Sequence, residues 1–188
     1  DSIVTGFASI GGRSVGIVAN NPAVKGGILC PCAADKATHL LSVCRRADLP
    51  VVTLVDTDGV ADKLHAEEKG FALKLARLAG EYTALPSPAV TVSLGQSYGT
   101  AYAVLGSKNL TGGVALALDR AKISAMSPDS AVEFLDKVKD ESHHADIAAR
   151  WAEQYASPLE AAKSGHIDDI IDTAELRQRI GAALEMLC

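Results

Sequence analysis

Short apolar runs alternate with amphipathic stretches along the first two-thirds of the chain. Apolar, β-branched runs bounded by Gly, Pro, Asn or Asp predict strands. They fall at 5–10, 14–19, 50–55, 89–94, 114–118 and 121–126. Apolar residues at helical spacing predict a helix over 36–46, capped by Asp35, and a long helix over 62–82. The alternation indicates an α/β fold in which helices cover parallel strands through right-handed crossovers.

Two local patterns refine this outline. Gly11 and Gly12 separate the first two predicted strands and predict a hairpin between them. Within the long helix, the apolar residues that recur at helical spacing predict a stripe that faces the core. This stripe consists of Leu64, Phe71, Leu75 and Leu78.

The pattern changes from residue 129 onward, where charged helical segments replace the alternation. Helices are predicted at 131–139, 145–154, 158–164 and 173–187, with one short strand at 167–172. There is no repeat and no low-complexity tract in the sequence. We therefore expect a single domain over 1–188, with a core at about 1–128 and a helical tail at about 129–188.

Composition narrows the class of protein. Nearly half of the 188 residues are apolar, which suits inner strands that are covered on both faces. The net charge of −5 argues against a nucleic-acid surface, and no apolar run is long enough to predict a membrane span. The four cysteines lack the C-x-x-C spacing of zinc and thioredoxin sites, so reduced thiols and a cytoplasmic location are expected.

The most informative segment is the junction between the strand at 89–94 and a helix predicted from about Thr100. Gly95 and Gly99 predict a turn there, and such a turn points unpaired backbone N–H groups outward at a helix N-terminus. That arrangement suits an oxyanion. The residues from Gly95 to Gly99 also spell G-x-S-x-G, the nucleophile elbow of hydrolases, with Ser97 as the nucleophile. Either Ser97 attacks a substrate, or the backbone beside it binds one.

A serine hydrolase needs a histidine base after the serine in chain order. Only His143, His144 and His166 qualify, and all of them fall in or beside the polar helical tail. The oxyanion segment of the HGGG type is also missing upstream. The hydrolase is therefore an alternative function rather than the leading one.

Other candidate chemistry is weaker. Asp56 and Asp58 would suit a divalent cation, but turn formation and helix capping are the simpler roles. His143 and His144 are adjacent, so on a helix their side chains point about 100° apart and favour a solvated face over a metal site. No acid–base pair stands out. This favours chemistry in which a cofactor carries the reactive atom and the protein supplies N–H donors and shape.

Several segments together resemble one family, the carboxyltransferase components of biotin-dependent carboxylases and decarboxylases, and specifically the C-terminal half of those chains. Each segment alone is weak, but they occur in the family's order and span nearly the whole sequence. They are GRSVGIVAN at 12–20, DKA at 35–37, LPVVTLVDTDG at 49–59, YGTAYAVLGSK at 98–108 and GHIDDIID at 165–172.

The resemblance implies a crotonase-like fold of repeated ββα units with a helical tail. It also implies that the backbone N–H groups of Thr100 and Ala101 bind the ureido oxygen of biotin while carboxybiotin releases CO₂. The biotin enolate would then remove the α-proton of an acyl-CoA, and the carbanion would take up CO₂; decarboxylases run this in reverse. Cofactor-binding positions implied by the same match are Tyr98, Gly99, Tyr102, Ala103 and Gly59.

The implied partners follow from the same family. They are a biotin carboxyl carrier protein, an N-terminal-type half or subunit that binds CoA, and further copies in a trimer or hexamer. Without that half, the isolated chain is expected to be inactive.

This sequence departs from the family at three positions. Thr100 replaces the second glycine of Tyr-Gly-Gly-Ala-Tyr, Asp58 replaces a usual proline, and small Ala103 occupies a position tied to acyl-chain selection. The departures indicate altered substrate geometry, and they keep a non-catalytic scaffold subunit open as another alternative.

Overall fold

The computed structural model describes residues 1–62, 64–135 and 144–187, so His143 and Cys188 lie outside the described residues. Within these ranges a seven-stranded sheet has the order β1-β2-β3-β4-β5-β7, and β6 pairs with β4. Only the β1–β2 pair is antiparallel among these strands. The strands are β1 Ile3–Ile10, β2 Arg13–Asn20, β3 Val51–Thr57, β4 Ala89–Tyr98, β5 Val114–Leu118, β6 Lys122–Ser124 and β7 Asp169–Ile171.

The predicted hairpin is confirmed. β1 and β2 pair from Ile3 opposite Asn20 to Ile10 opposite Arg13. Gly11 and Gly12, with φ of 60° and 83°, form the turn between them, a backbone region that glycine enters without steric cost.

Nine helices lie in the described ranges, and several differ in extent from the prediction. The helices are α1 Pro31–Ala47, α2 Leu64–Glu68, α3 Phe71–Thr83, α4 Gly99–Val104, α5 Lys108–Thr111, α6 Pro128–Leu135, α7 His144–Tyr155, α8 Pro158–Lys163 and α9 Leu176–Leu187. Short 3₁₀ turns occupy Lys25–Gly27 and Thr173–Glu175.

Asp35 does not cap the first helix, which corrects the prediction. Helix α1 begins five residues earlier because Pro31 occupies its first turn, where the missing N–H costs nothing, and the extended Cys30 precedes it. Asp35 lies inside the helix instead, and its carboxylate pairs with Lys74 of α3.

The long helix predicted over 62–82 is also wrong, because two helices replace it. Gly70, with φ of 65°, separates α2 from α3 in a left-handed conformation that ends helical progression. Phe71 and Leu78 face the core as predicted, and Leu75 packs partly buried against it. Leu64 is 76% exposed, because the break turns α2 out of the stripe.

Helices cover both faces of the parallel strands, as the apolar composition indicates. Helices α1 and α3 pack on one face, where Leu41, Leu78 and Tyr82 are buried with Val51 and Val55 of β3. Helix α9 covers the other face. Its Ile180 and Leu184 pack with a row of strand residues that includes Val52, Val90, Val92 and Leu116.

The tail follows the predicted order of elements, and the end of the helix predicted at 131–139 lies outside the described residues. Its strand, β7, joins the main sheet beside β5, so the tail completes the sheet rather than packing against it from outside. No helix among the described residues is long and apolar enough to cross a membrane.

Candidate functional site

Strand β4 changes partners part-way along its length. It pairs with β3 from Val51 opposite Ala89 to Val55 opposite Ser93, and the pairing resumes at Thr57 opposite Ser97. Three residues of β4, 94–96, therefore face one residue of β3, which is a bulge. Beyond the bulge, β4 pairs with β6 rather than with β5.

The glycine turn predicted from Gly95 to Gly99 is therefore wrong in extent. Gly95 lies in the bulge, and the chain stays extended as far as Tyr98. Gly99 alone reverses it, with φ of 58°, and opens helix α4. The prediction ended the strand at residue 94 because the two extra residues of the bulge interrupt the hydrophobic alternation.

Helix α4 presents its first amides without a side-chain cap. Tyr98 precedes the helix in extended conformation, and its side chain accepts no capping hydrogen bond. The first N–H groups of any helix lack partners within it, and the helix dipole adds positive potential there. Ala101 is fully buried, whereas the side chains of Thr100 and Ala103 are exposed.

A cavity of about 740 Å³ lies beside α4. Residues of α4, α5, β6, α7 and α8 line it. Four of the predicted site residues line it, namely Gly99, Thr100, Tyr102 and Ala103. Cavities of this size, mostly apolar with a few polar groups, are typical of small-molecule sites.

Two aromatic side chains contribute to the lining of this cavity. Trp151 and Tyr155 of α7 line it, with ring centroids 5.6 Å apart and planes inclined at 44°. Sequence reasoning missed them, and the helix predicted over 145–154 ends one residue before Tyr155; α7 extends to Tyr155, where the spacing of four residues places both on one face. That spacing was the signal available.

The rim of the cavity is held by polar contacts. Lys108 forms an ion pair with Asp168, whose other carboxylate oxygen accepts the Ala115 N–H at 2.9 Å. Burial by itself raises the pKa of Asp168, but the Ala115 N–H and the Lys108 ammonium outweigh it and lower the pKa below its usual value. The Tyr102 hydroxyl donates to the His166 carbonyl oxygen at 3.5 Å, and burial raises the pKa of Tyr102.

Three predicted site residues do not line this cavity. Ala101 is fully buried and is not among the residues that line the cavity. Tyr98 lines a second cavity with Asp58 and Asp129; burial first, and then these two carboxylates, raise its pKa to about 12. Gly59 lies beyond β3, where its carbonyl oxygen accepts the Leu29 N–H at 2.9 Å.

Ser97 is not an exposed nucleophile, which argues against the alternative of a serine hydrolase. The residue is fully buried within β4, and its Oγ has no hydrogen-bond partner in the described part of the chain. His144 Nε2 lies 3.7 Å from Asp129 Oδ1, and His166 lines the α4 cavity, so neither lies beside Ser97 as a base would. His143 lies outside the described residues, so its predicted place is not tested.

Asp56 does not have the turn-forming role that the sequence favours, because it lies within β3 and its carboxylate contacts β4. Asp56 accepts the Gln96 N–H at 2.9 Å, and the Asp58 N–H donates to the Gly26 carbonyl at 3.0 Å. Burial first, and then the neighbouring Asp56, raise the pKa of Asp58. Within the described ranges, no group of three or more His, Cys, Asp or Glu side chains is arranged to hold a metal ion.

Comparison with known proteins identifies the family. Residues 1–188 match the carboxyl transferase domain. The chain is 34% identical, over 99% of its length, to the carboxyltransferase subunit of propionyl-CoA carboxylase from Haloferax mediterranei. It is 35% identical, over 98% of its length, to the methylmalonyl-CoA carboxyltransferase 12S subunit of Propionibacterium freudenreichii. These matches cover 37% and 36% of the two relatives, so the chain spans about a third of the length of the curated relatives it matches.

Solved structures agree with this assignment. Transcarboxylase 12S, a hexamer solved with methylmalonyl-coenzyme A bound, superposes with a TM-score of 0.93 at 33% identity, covering 99% of this chain and 36% of that one. The β subunit of geranyl-CoA carboxylase from P. aeruginosa gives a TM-score of 0.88 at 21% identity over 99% of this chain and 36% of that one, which bears on the fold alone. The predicted crotonase-like fold is confirmed, since these neighbours have it. The chain belongs to the carboxyl transferase domain family and corresponds to the C-terminal half of its β-type subunits.

Proposed function

We propose that this chain supplies the biotin side of a carboxyltransferase that moves a carboxyl group to or from an acyl-CoA. The observation that carries the proposal is the uncapped start of α4 beside a cavity with an aromatic wall. Relatives are named propionyl-CoA carboxylase, methylmalonyl-CoA decarboxylase and biotin-dependent long-chain acyl-CoA carboxylase. In the reactions that these names describe, a cofactor carries the carboxyl group, so the cavity needs no side-chain nucleophile.

The residues present fit the bicyclic ring of biotin. The ring is small, largely apolar and carries one ureido oxygen that accepts hydrogen bonds. The proposed donors are the backbone N–H groups of Thr100, which lines the cavity, and of its neighbour Ala101, which is fully buried next to it. Trp151 and Tyr155 supply aromatic surface in the same cavity. The described residues thus offer both polar and apolar contacts for such a ring.

When bound, carboxybiotin supplies the carboxyl group and the base for the acyl substrate. The chain's own part is to bind and to orient. The backbone N–H groups of Thr100 and Ala101 would donate to the ureido oxygen, and pre-placed N–H donors stabilise developing negative charge because they need no reorganisation. Tyr102, Trp151 and Tyr155 exclude water from the apolar side of the ring, which strengthens those hydrogen bonds.

The complete reaction requires partners in this proposal. A biotin carboxyl carrier protein delivers the cofactor, and an N-terminal-type half binds CoA.

We further infer that residues 1–188 act as one unit, because residues of α8 and β7 pack with β5 and β6 in a shared apolar cluster. Self-association into a trimer or hexamer is proposed from the hexamer of transcarboxylase 12S. A cytoplasmic location stays a prediction, and several relatives are named mitochondrial.

Titration with biotin methyl ester tests the proposal directly. Trp151 is the single tryptophan of the chain and lies in the cavity wall, so its fluorescence reports occupancy. Saturable quenching or enhancement by biotin methyl ester, lost in Ala103→Phe but kept in Ala76→Phe, is the expected result. Ala76 is the matched control because it is an exposed alanine of α3, remote from the cavity lining. A folded chain that shows no binding would favour the non-catalytic scaffold instead.

Carboxyl transfer is the second test. The chain is mixed with carboxylated carrier protein and propionyl-CoA, with and without an N-terminal-type half from a relative. Transfer only in the presence of that half is expected. Robust transfer by the isolated chain would contradict the proposal that CoA binds elsewhere.

A further inference from the structure

The bulge in β4 is held by a side chain from the neighbouring strand. Opposite the three bulged residues stands Asp56 alone, the last residue of β3 before the pairing resumes. A bulge leaves a backbone N–H without its ladder partner. The Asp56 carboxylate replaces that partner, since its Oδ1 accepts the Gln96 N–H at 2.9 Å.

Gly95 makes room for this contact. A Cβ built on Gly95 would lie 2.5 Å from Asp56 Oδ1 and 2.7 Å from its Cγ, closer than real Cβ atoms approach. Any larger residue at position 95 would therefore push the carboxylate away from the Gln96 N–H. The glycine and the aspartate form one unit.

Asp56 is itself fixed on its other side. Its backbone N–H donates to Asn20 Oδ1 at 3.3 Å, and Asn20 Nδ2 donates to the Gly27 carbonyl at 3.0 Å. Gly27, with φ of 68°, packs so closely that a Cβ there would lie 2.2 Å from the Asp56 carbonyl oxygen. The end of β2, the 3₁₀ turn and the end of β3 thus hold the carboxylate in place.

We propose that Asp56 is a positioning residue for the start of α4. Its carboxylate fixes the bulge, and the bulge fixes the register in which the end of β4 pairs with β3 and β6. Only Ser97 and Tyr98 separate Gln96 from the Gly99 turn, so the position of the bulge also sets the position of the Thr100 and Ala101 amides. The significance of Asp56 for biotin rests on the proposed function; its effect on the backbone does not.

Amide hydrogen exchange of the 188-residue chain tests the backbone part. Asp56→Ala should speed exchange at the amides from Gln96 to Ala101 by about tenfold or more, because a charge-assisted hydrogen bond is lost. Asp56→Asn keeps an acceptor oxygen of the same shape and should retain most of the protection. Asp35→Ala is the matched control: it also removes a carboxylate that has a partner, Lys74, but on α1.

A double variant separates positioning from general destabilisation. Gly95→Ala should speed the same amides in the wild-type background, because the new methyl displaces the carboxylate. In the Asp56→Ala background there is space for that methyl, so Gly95→Ala should add nothing. Additive effects of the two substitutions, or unchanged exchange at 96–101 in Asp56→Ala, would overturn the proposal.

Biotin affinity, measured by Trp151 fluorescence, tests whether the Asp56 contact affects the proposed biotin site. Asp56→Ala should weaken binding about tenfold at unchanged fluorescence of the free protein, and Asp56→Asn should restore it. Equal affinities in wild type and Asp56→Ala would contradict the link. If the wild type itself binds no biotin, the proposed function fails, while the exchange result still decides the role of Asp56.

Discussion

Trp151 and Tyr155 stand one helical turn apart on α7, with ring centroids 5.6 Å from each other, and line the same cavity as the start of α4. Helical spacing alone brings them together, and the cavity between α7 and α4 keeps their faces accessible. Tyr155 remains 53% exposed. This half-exposed aromatic surface beside the cavity is the apolar contact that the proposed biotin site requires.

Tyr155→Ala should therefore weaken biotin binding by about three- to tenfold, because aromatic contact surface contributes about 1 kcal/mol. Stability should change little, as the side chain is half exposed. Calorimetric titration measures the affinity, and urea unfolding measures the stability. Phe134→Ala is the control, an aromatic that is 80% exposed and outside the cavity lining. An equal loss in both variants would argue against the wall as a contact.

Thr100→Pro should weaken biotin binding by about three- to tenfold, since it removes a single N–H donor. Proline is tolerated in the first turn of a helix, so α4 should persist. Thr100→Ala is the matched variant because it removes the hydroxyl and keeps the N–H. Circular dichroism checks the helix content, and fluorescence titration measures affinity. If Thr100→Ala weakens binding as much as Thr100→Pro, the side chain rather than the amide makes the contact.

Most strands could be predicted from the sequence because each is a compact apolar run with clear boundaries. The hairpin at Gly11 and Gly12 and the strands of the parallel core were predicted within a few residues. The errors share a cause. At Gly70 and at Asp35 a single backbone feature, a left-handed residue or a proline in the first turn, overrides the apolar periodicity.

The candidate site was predictable in part. The position of Thr100 at the start of a helix follows from the strand-to-helix pattern around Gly99. The bulge does not, because it depends on Asp56, forty residues earlier in the chain, and no local pattern reports that contact. The burial of Ser97 follows from the same bulge, which keeps β4 in the sheet past Gly95.

Tyr82→Phe should lower the free energy of unfolding by about 1–2 kcal/mol, because it leaves the Thr53 hydroxyl buried without its partner. The two hydroxyl oxygens are 2.8 Å apart beneath α3, and burial raises the pKa of Tyr82 far above its usual range. Urea denaturation at pH 7 measures the change. Tyr155→Phe removes an exposed hydroxyl and should be neutral. A neutral Tyr82→Phe would mean that Thr53 finds another partner.

Asp168→Asn should destabilise the protein at neutral pH, and the difference from wild type should vanish in acid. The folded pKa of Asp168 lies below its usual value, so the ionised carboxylate contributes stability above the unfolded pKa of about 3.9. That contribution is lost as the pH falls through the lower folded value, where the carboxylate becomes protonated. The side chain is 36% exposed, so solvent screening limits the effect at pH 7 to about 1 kcal/mol or less.

Urea unfolding of wild type and Asp168→Asn at pH 7, 5 and 3 measures this dependence. Lys108→Met should reproduce part of the loss at pH 7, because it removes the partner ammonium and leaves the Ala115 N–H bond intact. Asp169→Asn is the neighbouring control, a carboxylate that meets Arg179 at 3.5 Å on the exposed side of β7. A loss in Asp168→Asn that stayed constant down to pH 3 would show that shape, and not the charge of the carboxylate, holds α5 to the tail.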